Sequence, residues 1–336
     1  MKKSPVRALA ALIATAALAL SACSNGGTTT EPSNGGDGGA TAAGQEYRIG
    51  ITQIIAHASL DAAREGFKEA IDEAGLNVTY DENNAQGEQA TATAIAQKFN
   101  TGNVDLILAI ATPTAQASAQ VITDKPILFT AVTDPVAAKL VDSNEAPGGN
   151  VTGTTDMNPV ADQVALVKKL KPEAQTVGVI YSSGEVNSEV QVEMAKEAAA
   201  TEGLELVEKT ITNTGEVAQA AASLDVDAIY VPTDNNVVAG LAAVVQVTEQ
   251  KKIPLIVGEG DSVKAGGIIT TGIDYRLLGR QTGEMAVRIL QDGEDPATMA
   301  VEDQKEYTTY VNKSAAERMG VTIPEELLTG ATDFSS

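Results

Sequence analysis

The sequence has 336 residues, 43% of them hydrophobic, and its 45 acidic and 23 basic side chains give a formal net charge of −22. Such an acidic balance argues against nucleic acid and anionic lipid surfaces as partners. The single cysteine, Cys23, and the single histidine, His57, exclude an internal disulfide and any metal centre built from several cysteine or histidine ligands.

The N-terminal segment predicts export and lipidation. Lys2, Lys3 and Arg7 make a positive start, and residues 8–20 form an almost unbroken apolar run that is too short to span a membrane comfortably. The run ends in Leu-Ser-Ala-Cys, the pattern of a bacterial lipobox, in which a peptidase cleaves before the cysteine and the thiol receives a diacylglyceryl group. We therefore expect a signal peptide over residues 1–22 and a lipid on Cys23. An ordinary secretory signal that precedes a cysteine is the alternative.

Residues 23–45 are predicted to be a tether between this lipid and a folded body. After Cys23 the segment is Ser, Gly, Thr, Asn and Ala with scarcely a bulky apolar side chain, so burial cannot offset the ordering of its backbone. A Gly/Ser-rich chain of this length reaches roughly 25 Å. No later segment has 18 consecutive apolar residues. The expected location is therefore the outer face of the bacterial cell membrane, with attachment only through the lipid.

From residue 47 onward, short β-branched runs alternate with amphipathic, alanine-rich stretches. Strands are predicted at 47–53, 77–81, 106–111 and 127–132, with helices at 60–74, 88–100 and 113–123. After a helix at 159–170 the alternation restarts, with strands at 176–181, 205–211, 228–232, 254–257, 268–274 and 307–311 and helices at 188–201, 216–224, 237–250 and 277–290.

This alternation predicts an α/β fold with two doubly wound, parallel-sheet lobes. Single helices separate strands that are apolar on both faces, which is typical of parallel sheets covered by helices. The chain after the tether is also longer than one core usually supports. Two such lobes place a cleft at the carboxyl ends of the facing strands, where open α/β sheets hold their ligands.

Six short motifs follow one another along this pattern: QIIAHASLD at 53–61, TPTA at 112–115, TDPV at 133–136, PGGNVTG at 147–153, VPTD at 231–234 and YRLLGR at 275–280. In this order and spacing the chain resembles the ABC transporter substrate-binding proteins of the tryptophan/tyrosine transport type, which have a type I periplasmic-binding fold. The resemblance implies three crossings between lobes, which form a three-strand hinge. Lobe one would comprise residues 47–156 plus 275–300, and lobe two residues 159–273 plus 302–328.

The resemblance also implies a function. The expected protein is the extracytoplasmic solute-binding component of an ABC importer, with a permease as its protein partner. It would close by a hinge on a small amino-acid-like ligand, with Trp, Tyr and Phe as candidates. A nucleoside or a sugar remains an alternative ligand, and a ligand sensor that reports to a membrane partner remains an alternative function.

The first lobe offers a possible seat for a ligand carboxylate. Thr112 followed by Pro113 predicts a helix start, with Thr112 as the N-cap. The backbone N–H groups of Thr114 and Ala115 would then be free to bind an anion in the cleft. The structural alternative is that Thr112 only caps the helix.

The loop at 182–188 is unusually polar for a short strand-to-helix connection. Ser188 and Gln191 fit the S-x-x-Q capping box. That pairing leaves Ser183, Glu185 and Asn187 available to a ligand. A solvated loop is the alternative.

Four further residues are candidate ligand contacts. Asp234 can accept a charge-assisted hydrogen bond from an ammonium group, and so can Asp134 in its Thr-Asp-Pro turn. Helix capping and turn formation are their structural alternatives. Glu259 and Tyr275 lie where the last strands of lobe two return to the hinge, and the ring of Tyr275 can stack against a ligand side chain or pack in the core.

Gln53 and His57 lie at the end of the first strand and complete the candidate set. A lone histidine is more often structural, but this one is at the mouth of the first strand-to-helix loop. One histidine and one lipidated cysteine leave no Cys–His catalytic pair, and neither a G-x-S-x-G nor a G-x-x-x-x-G-K-[ST] motif occurs. We therefore expect a binding protein and not an enzyme, with no metal and no cofactor.

Overall fold

The computed structural model describes residues 45–335, which form two open α/β sheets flanked by helices. The predicted signal peptide, Cys23 and nearly all of the tether lie outside the described residues. Within the described part of the chain, no helix is both long and apolar enough to cross a membrane.

The strands of residues 45–335 form two separate sheets. In chain order they are β1 (Glu46–Gln53), β2 (Asn77–Asn84), β3 (Leu106–Ile110), β4 (Ile127–Val132), β5 (Val151–Thr155), β6 (Thr176–Ser182), β7 (Glu205–Ile211), β8 (Ala228–Val231), β9 (Leu255–Val257), β10 (Ile269–Gly272), β11 (Glu302–Asp303), β12 (Thr308–Val311) and β13 (Thr332–Asp333). The first sheet has the order β11-β5-β4-β3-β1-β2 and is entirely parallel. The second has the order β13-β12-β10-β9-β8-β6-β7, in which β10 and β12 are antiparallel.

The helices cover both sheets. They are α1 (Ala58–Glu73), α2 (Gln89–Thr101), α3 (Thr112–Val121), α4 (Val160–Leu170), α5 (Val186–Thr201), α6 (Val217–Ser223), α7 (Asn235–Ala239), α8 (Leu241–Lys251), α9 (Gly260–Lys264), α10 (Tyr275–Val287), α11 (Lys313–Met319) and α12 (Glu325–Leu328). A 3₁₀ turn precedes α6, and a π-helical turn follows α10.

Each sheet has its own hydrophobic core, so the chain folds as two lobes. Strands β3 and β4 are buried along their whole length, as expected of parallel strands with helices on both faces. The predicted fold class, two wound α/β lobes, is confirmed. We call the lobe around the first sheet lobe one and the lobe around the second sheet lobe two.

The chain crosses between the lobes three times: between β5 and α4, between β10 and α10, and between β11 and β12. Because β11 pairs with β5, the third crossing follows Asp303, slightly later than the predicted boundary at 302. Side-chain amides join the crossings: Asn158 Oδ1 accepts from the Ile273 N–H at 3.2 Å, and Gln304 Oε1 accepts from the Asp274 N–H at 3.1 Å.

A close seam between α1 and α10 positions one side of the cleft. Gly66 and Gly279 lie against the partner helix, and a Cβ atom on Gly279 would be 1.8 Å from the Ala63 carbonyl oxygen. Only glycine permits so close an approach of two backbones. Since both helices begin at the cleft, the seam fixes His57, just before α1, and Tyr275, at the start of α10.

Candidate functional site

A cavity lies between the two lobes at the carboxyl ends of their strands. Its walls nearly meet, so the space between them holds no more than about one water molecule. The lining residues come from both lobes and from the crossings between them: His57, Ser59, Leu60, Ala131, Thr133, Asp156, Asn187, Thr233, Asn235, Val238, Glu259 and Tyr275.

At the hinge end of the cavity, Asp156 and Tyr275 are bonded to each other. The Tyr275 hydroxyl donates to Asp156 Oδ2, and Thr133 Oγ1 donates to Asp156 Oδ1 at 2.9 Å. Burial raises the pKa of Asp156, and these two hydrogen bonds partly oppose that rise. Tyr275 therefore lines the cavity, and its hydroxyl is engaged by the hinge; the ligand contact expected of its ring stays a prediction.

Glu259 supplies a second buried carboxylate. It is the N-cap of α9, where Oε2 accepts from the Asp261 N–H at 2.6 Å and Oε1 accepts from the Ser262 N–H at 2.9 Å. Burial raises the pKa of Glu259 to about 7, and the charge of Asp261 adds to the rise. The Glu259 side chain thus caps α9 and also lines the cavity.

His57 also lines the cavity, and both of its ring nitrogens are buried without a hydrogen bond of good geometry in the described part of the chain, although the Asn235 side chain is close enough to act on the ring. It occupies the N-cap position of α1 but makes no capping bond with its side chain. Burial lowers the pKa of His57 to about 4, against the opposing effects of Asn235 and Asp61. The imidazole is consequently neutral near pH 7.

The cavity favours a cationic group. Its lining residues, all in the described part of the chain, include the carboxyl groups of Asp156 and Glu259 but no lysine or arginine. Among the described residues, Ser59 Oγ and Asn187 Oδ1 are buried there without a hydrogen bond of good geometry, although Ser59 is close enough to Glu259 to oppose the rise in its pKa. A ligand ammonium would neutralise the carboxylates and supply donors to the free acceptor.

Ser183 and Glu185 lie in a neighbouring groove, not in this cavity. The groove also runs between the lobes, and its walls include Pro113 of lobe one. Glu185 accepts from Asn235 Nδ2 at 2.5 Å and from Asn236 Nδ2 at 3.1 Å. Burial raises the pKa of Glu185 to about 8, and the nearby charge of Asp234 adds to this rise.

Asp234 has a structural role that corrects the predicted ligand contact. It is fully buried and caps α7 by accepting from the Val237 N–H at 2.8 Å. It also accepts from the Ser182 N–H at 2.5 Å and from Ser188 Oγ at 2.6 Å. The predicted capping box is wrong for the same reason, because the Ser188 hydroxyl is bound to Asp234 and helix α5 begins before it, at Val186.

The predicted anion seat at the start of α3 is also corrected. The N-cap is Ala111, not Thr112, and the Ala115 N–H donates to the Ala111 carbonyl at 3.1 Å. Thr114 Oγ1 donates to the Ile110 carbonyl at 2.7 Å. Thr112, Thr114 and Ala115 are buried and none of them lines the cavity.

Gln53 and Asp134 lie outside the cavity and are engaged in local contacts. Gln53 Nε2 donates to Asp61 Oδ1 at 3.0 Å, and its Oε1 accepts from Arg64 Nη1 at 2.9 Å. Asp134 Oδ1 accepts from the backbone N–H groups two and three residues further on, at 3.0 and 2.9 Å. Turn formation, the alternative considered for Asp134, accounts for its carboxylate.

Of the predicted residues, His57, Asn187, Glu259 and Tyr275 meet at the cavity. Among the polar lining residues, the sequence reasoning missed Ser59, Thr133, Asp156, Thr233 and Asn235. Thr133 and Asn235 are each adjacent to a residue that was predicted. Their position directly after a strand could therefore have identified them as candidates. Asp156 follows β5, a strand absent from the predicted set.

Comparison with known proteins agrees with this architecture. Residues 48–335 match the family described as ABC transporter substrate binding protein. A tyrosine-binding protein of Clostridioides difficile is 44% identical over 263 residues, which cover 76% of each chain.

Two solved structures are informative because they differ in state. A Streptococcus pneumonia ABC domain in complex with L-Trp has 36% identity and a TM-score of 0.83, with 86% of this chain and 99% of that chain covered. A ligand-free, open substrate binding protein with adhesive properties from Clostridium difficile has 42% identity and a TM-score of 0.65, with the same shares covered.

The two lobes and the cavity between them define a solute-binding protein. The chain belongs to the ABC transporter substrate-binding protein family. It is the substrate-binding component of an ABC transporter, so it acts outside the cytoplasm on a small-molecule ligand and has a permease partner. The resemblance and the general function predicted from the sequence are confirmed.

Proposed function

We propose that this protein binds an aromatic amino acid in the cavity between its lobes and delivers it to the permease. The observation that carries the proposal is the lining of the cavity: two buried carboxyl groups, no cationic side chain and several unpartnered polar atoms. An α-ammonium group suits the carboxyl groups, and the free hydroxyl of Ser59 can donate to an α-carboxylate.

The aromatic class is supported by the cavity wall and by the relatives. Leu60, Ala131, Val238 and the ring of Tyr275 give the cavity an apolar surface for a flat side chain. The relatives described above include one named for tyrosine binding and one solved with L-Trp.

Hinge closure is the proposed mechanism. The structure resembles the L-Trp complex more than it resembles the open, ligand-free protein, although the open protein is closer in sequence. The proposal attributes this inversion to a different arrangement of the lobes and takes the present conformation as the closed one. A ligand that contacts both lobes only when they close would shift the population toward the closed form.

The proposal includes a lipid on Cys23 and a role in binding without catalysis. The lipobox pattern supports the first, and membership of a solute-binding family supports the second. Lipidation is tested by mass spectrometry of the protein purified from bacterial membranes. Intact protein should carry the mass of a diacylglyceryl group, and Cys23→Ala should lose it and leave the membrane fraction. An unmodified thiol in the membrane-purified protein would contradict the anchor.

The ligand class is tested by thermal unfolding of residues 24–336 against the twenty amino acids, nucleosides and common sugars. A ligand at one hundred times its Kd stabilises the folded state by about 2.7 kcal/mol if it binds only that state. Stabilisation by Tyr, Trp or Phe above the other amino acids supports the proposal. A response only to a nucleoside or a sugar would replace the ligand class and keep the binding function.

A further inference from the structure

Unpartnered polar atoms in the cavity carry information about the ligand. His57 Nδ1 and Nε2, Ser59 Oγ and Asn187 Oδ1 are all buried, belong to lining residues and make no hydrogen bond of good geometry within residues 45–335, although Asn235 lies near His57 and Glu259 lies near Ser59. Buried polar atoms in folded proteins are nearly always paired. A ligand that enters the cavity can supply the hydrogen-bond partners that these atoms lack.

The main-chain groups of an amino acid account for two of the three side chains. An ammonium group only donates, so it matches Asn187 Oδ1 together with the carboxyl group of Asp156. A carboxylate only accepts, so it matches the hydroxyl of Ser59. These pairings leave the imidazole of His57 for the ligand side chain.

A neutral imidazole has one N–H donor and one acceptor nitrogen. A phenol hydroxyl both donates and accepts, so tyrosine can pair with either nitrogen. An indole N–H can pair only with the acceptor nitrogen. A phenyl ring pairs with neither and would leave the buried imidazole unsatisfied.

We propose that His57 is the specificity-determining residue of the cavity, and that it selects aromatic amino acids whose side chain carries a hydrogen-bonding group, tyrosine above phenylalanine. This inference rests on the proposed function, since it concerns the same ligand class. Sites that hydrogen-bond a ligand group reject analogues that lack it, because the buried partner is then left unpaired. One lost hydrogen bond of this kind corresponds to a preference of about tenfold to hundredfold for tyrosine.

The test is isothermal titration of the protein and of His57→Phe with L-Tyr, L-Trp and L-Phe. The unsubstituted protein should prefer L-Tyr over L-Phe by about tenfold to hundredfold. In His57→Phe that preference should disappear, because affinity for L-Tyr falls while affinity for L-Phe is kept. His57→Gln, which retains a donor and an acceptor, should keep much of the preference and guards against misfolding of the first variant.

Ser59→Ala is the matched control, since it lies on the same helix start and removes a main-chain contact. It should weaken all three ligands by a similar factor. Equal affinity of the unsubstituted protein for L-Tyr and L-Phe, or an equal loss of both in His57→Phe, would overturn the role of His57 alone. Failure of all three amino acids to bind would overturn the proposed ligand class and this inference together.

Discussion

The two lobes contribute to the cleft in different ways. In lobe two, Asp234 and Glu185 lie in a network whose hydrogen bonds are almost complete within the lobe. Among the buried side-chain polar atoms without a partner in residues 45–335, only Asn187 Oδ1 belongs to lobe two. All the others belong to lobe one, among them the atoms of His57 and Ser59 that face the cavity.

Because of this difference, the polar residues of lobe two should act mainly on stability, and the unpartnered residues of lobe one mainly on ligand binding. A self-satisfied network holds the lobe-two wall in place without ligand, so its loss should lower the free energy of unfolding. Unpartnered atoms contribute little to the stability of the ligand-free protein, because they have no hydrogen bond to lose. They should contribute to ligand affinity once a ligand supplies that bond. Substitutions on the two sides of the cleft should therefore have different effects.

The largest expected effect is that of Asp234→Ala. The substitution removes the N-cap of α7 and leaves the Ser182 N–H and the Ser188 hydroxyl buried without an acceptor. We expect a loss of about 3 kcal/mol in the free energy of unfolding, measured by urea denaturation. Asp134→Ala is the matched control, because Asp134 has a similar capping role in a more exposed turn. This variant should lose about 1 kcal/mol or less of unfolding free energy. Equal losses in the two variants would refute the network as a stabilising unit.

A pH effect should follow from Glu185. Its pKa is raised from 4.5 to about 8 by burial and by Asp234, so the folded state holds a proton that the unfolded state releases. Stability should therefore be unaffected by this group below about pH 4.5, fall as the pH rises toward 8, and level off above.

Urea denaturation of the unsubstituted protein and of Glu185→Gln measures this effect. Between pH 6 and pH 8 the difference between their free energies of unfolding should change by roughly 2 kcal/mol, because the unsubstituted protein loses stability relative to the variant. Taking the difference removes the contributions of His57 and Glu259, which titrate in both proteins. Glu189→Gln, on the exposed face of the same helix, should show no such change. A pH-independent difference for Glu185→Gln would contradict the prediction.

The smallest expected effect compares two buried serines. Ser188 Oγ donates to Asp234 at 2.6 Å, whereas Ser59 Oγ makes no hydrogen bond of good geometry within residues 45–335. In the ligand-free protein, Ser188→Ala should therefore cost about 1–2 kcal/mol of unfolding free energy, and Ser59→Ala close to none. Urea denaturation of both variants provides the comparison. A comparable loss in Ser59→Ala would mean that Ser59 has a hydrogen-bond partner after all, with Glu259 as the neighbouring acceptor.

Regular elements were well predicted where the local pattern alone decides them. The strand predicted at 106–111 is β3, Leu106–Ile110, because a short, wholly apolar run is stable only inside a covered parallel sheet. The helix predicted at 237–250 was wrong in one respect, since it is divided at Gly240 into α7 and α8. A Cβ atom on Gly240 would lie 3.0 Å from Val217 Cγ2, so packing against α6 favours a glycine at this division.

Prediction of the cavity was less complete, for a geometric reason. Asp234 and Asn235 are adjacent and both follow β8, yet Asp234 caps α7 and Asn235 lines the cavity. The order of residue types does not distinguish these roles. The direction of each side chain depends on where the helix starts and on what packs above it.

The sequence by itself determined the two wound lobes, the family and the edge of the sheets where the cavity lies, because hydrophobic periodicity and strand ends are local properties of the chain. Tertiary structure decided which polar side chains turn inward to each other and which are left for a ligand. Within the described residues, His57 and Ser59 lie at the cleft because the glycine seam of α1 and α10 fixes the start of α1 there, opposite a lobe whose buried polar side chains are hydrogen-bonded except at Asn187 Oδ1. Which polar side chains are paired depends on burial and on contacts between distant segments, and no local sequence pattern encodes these.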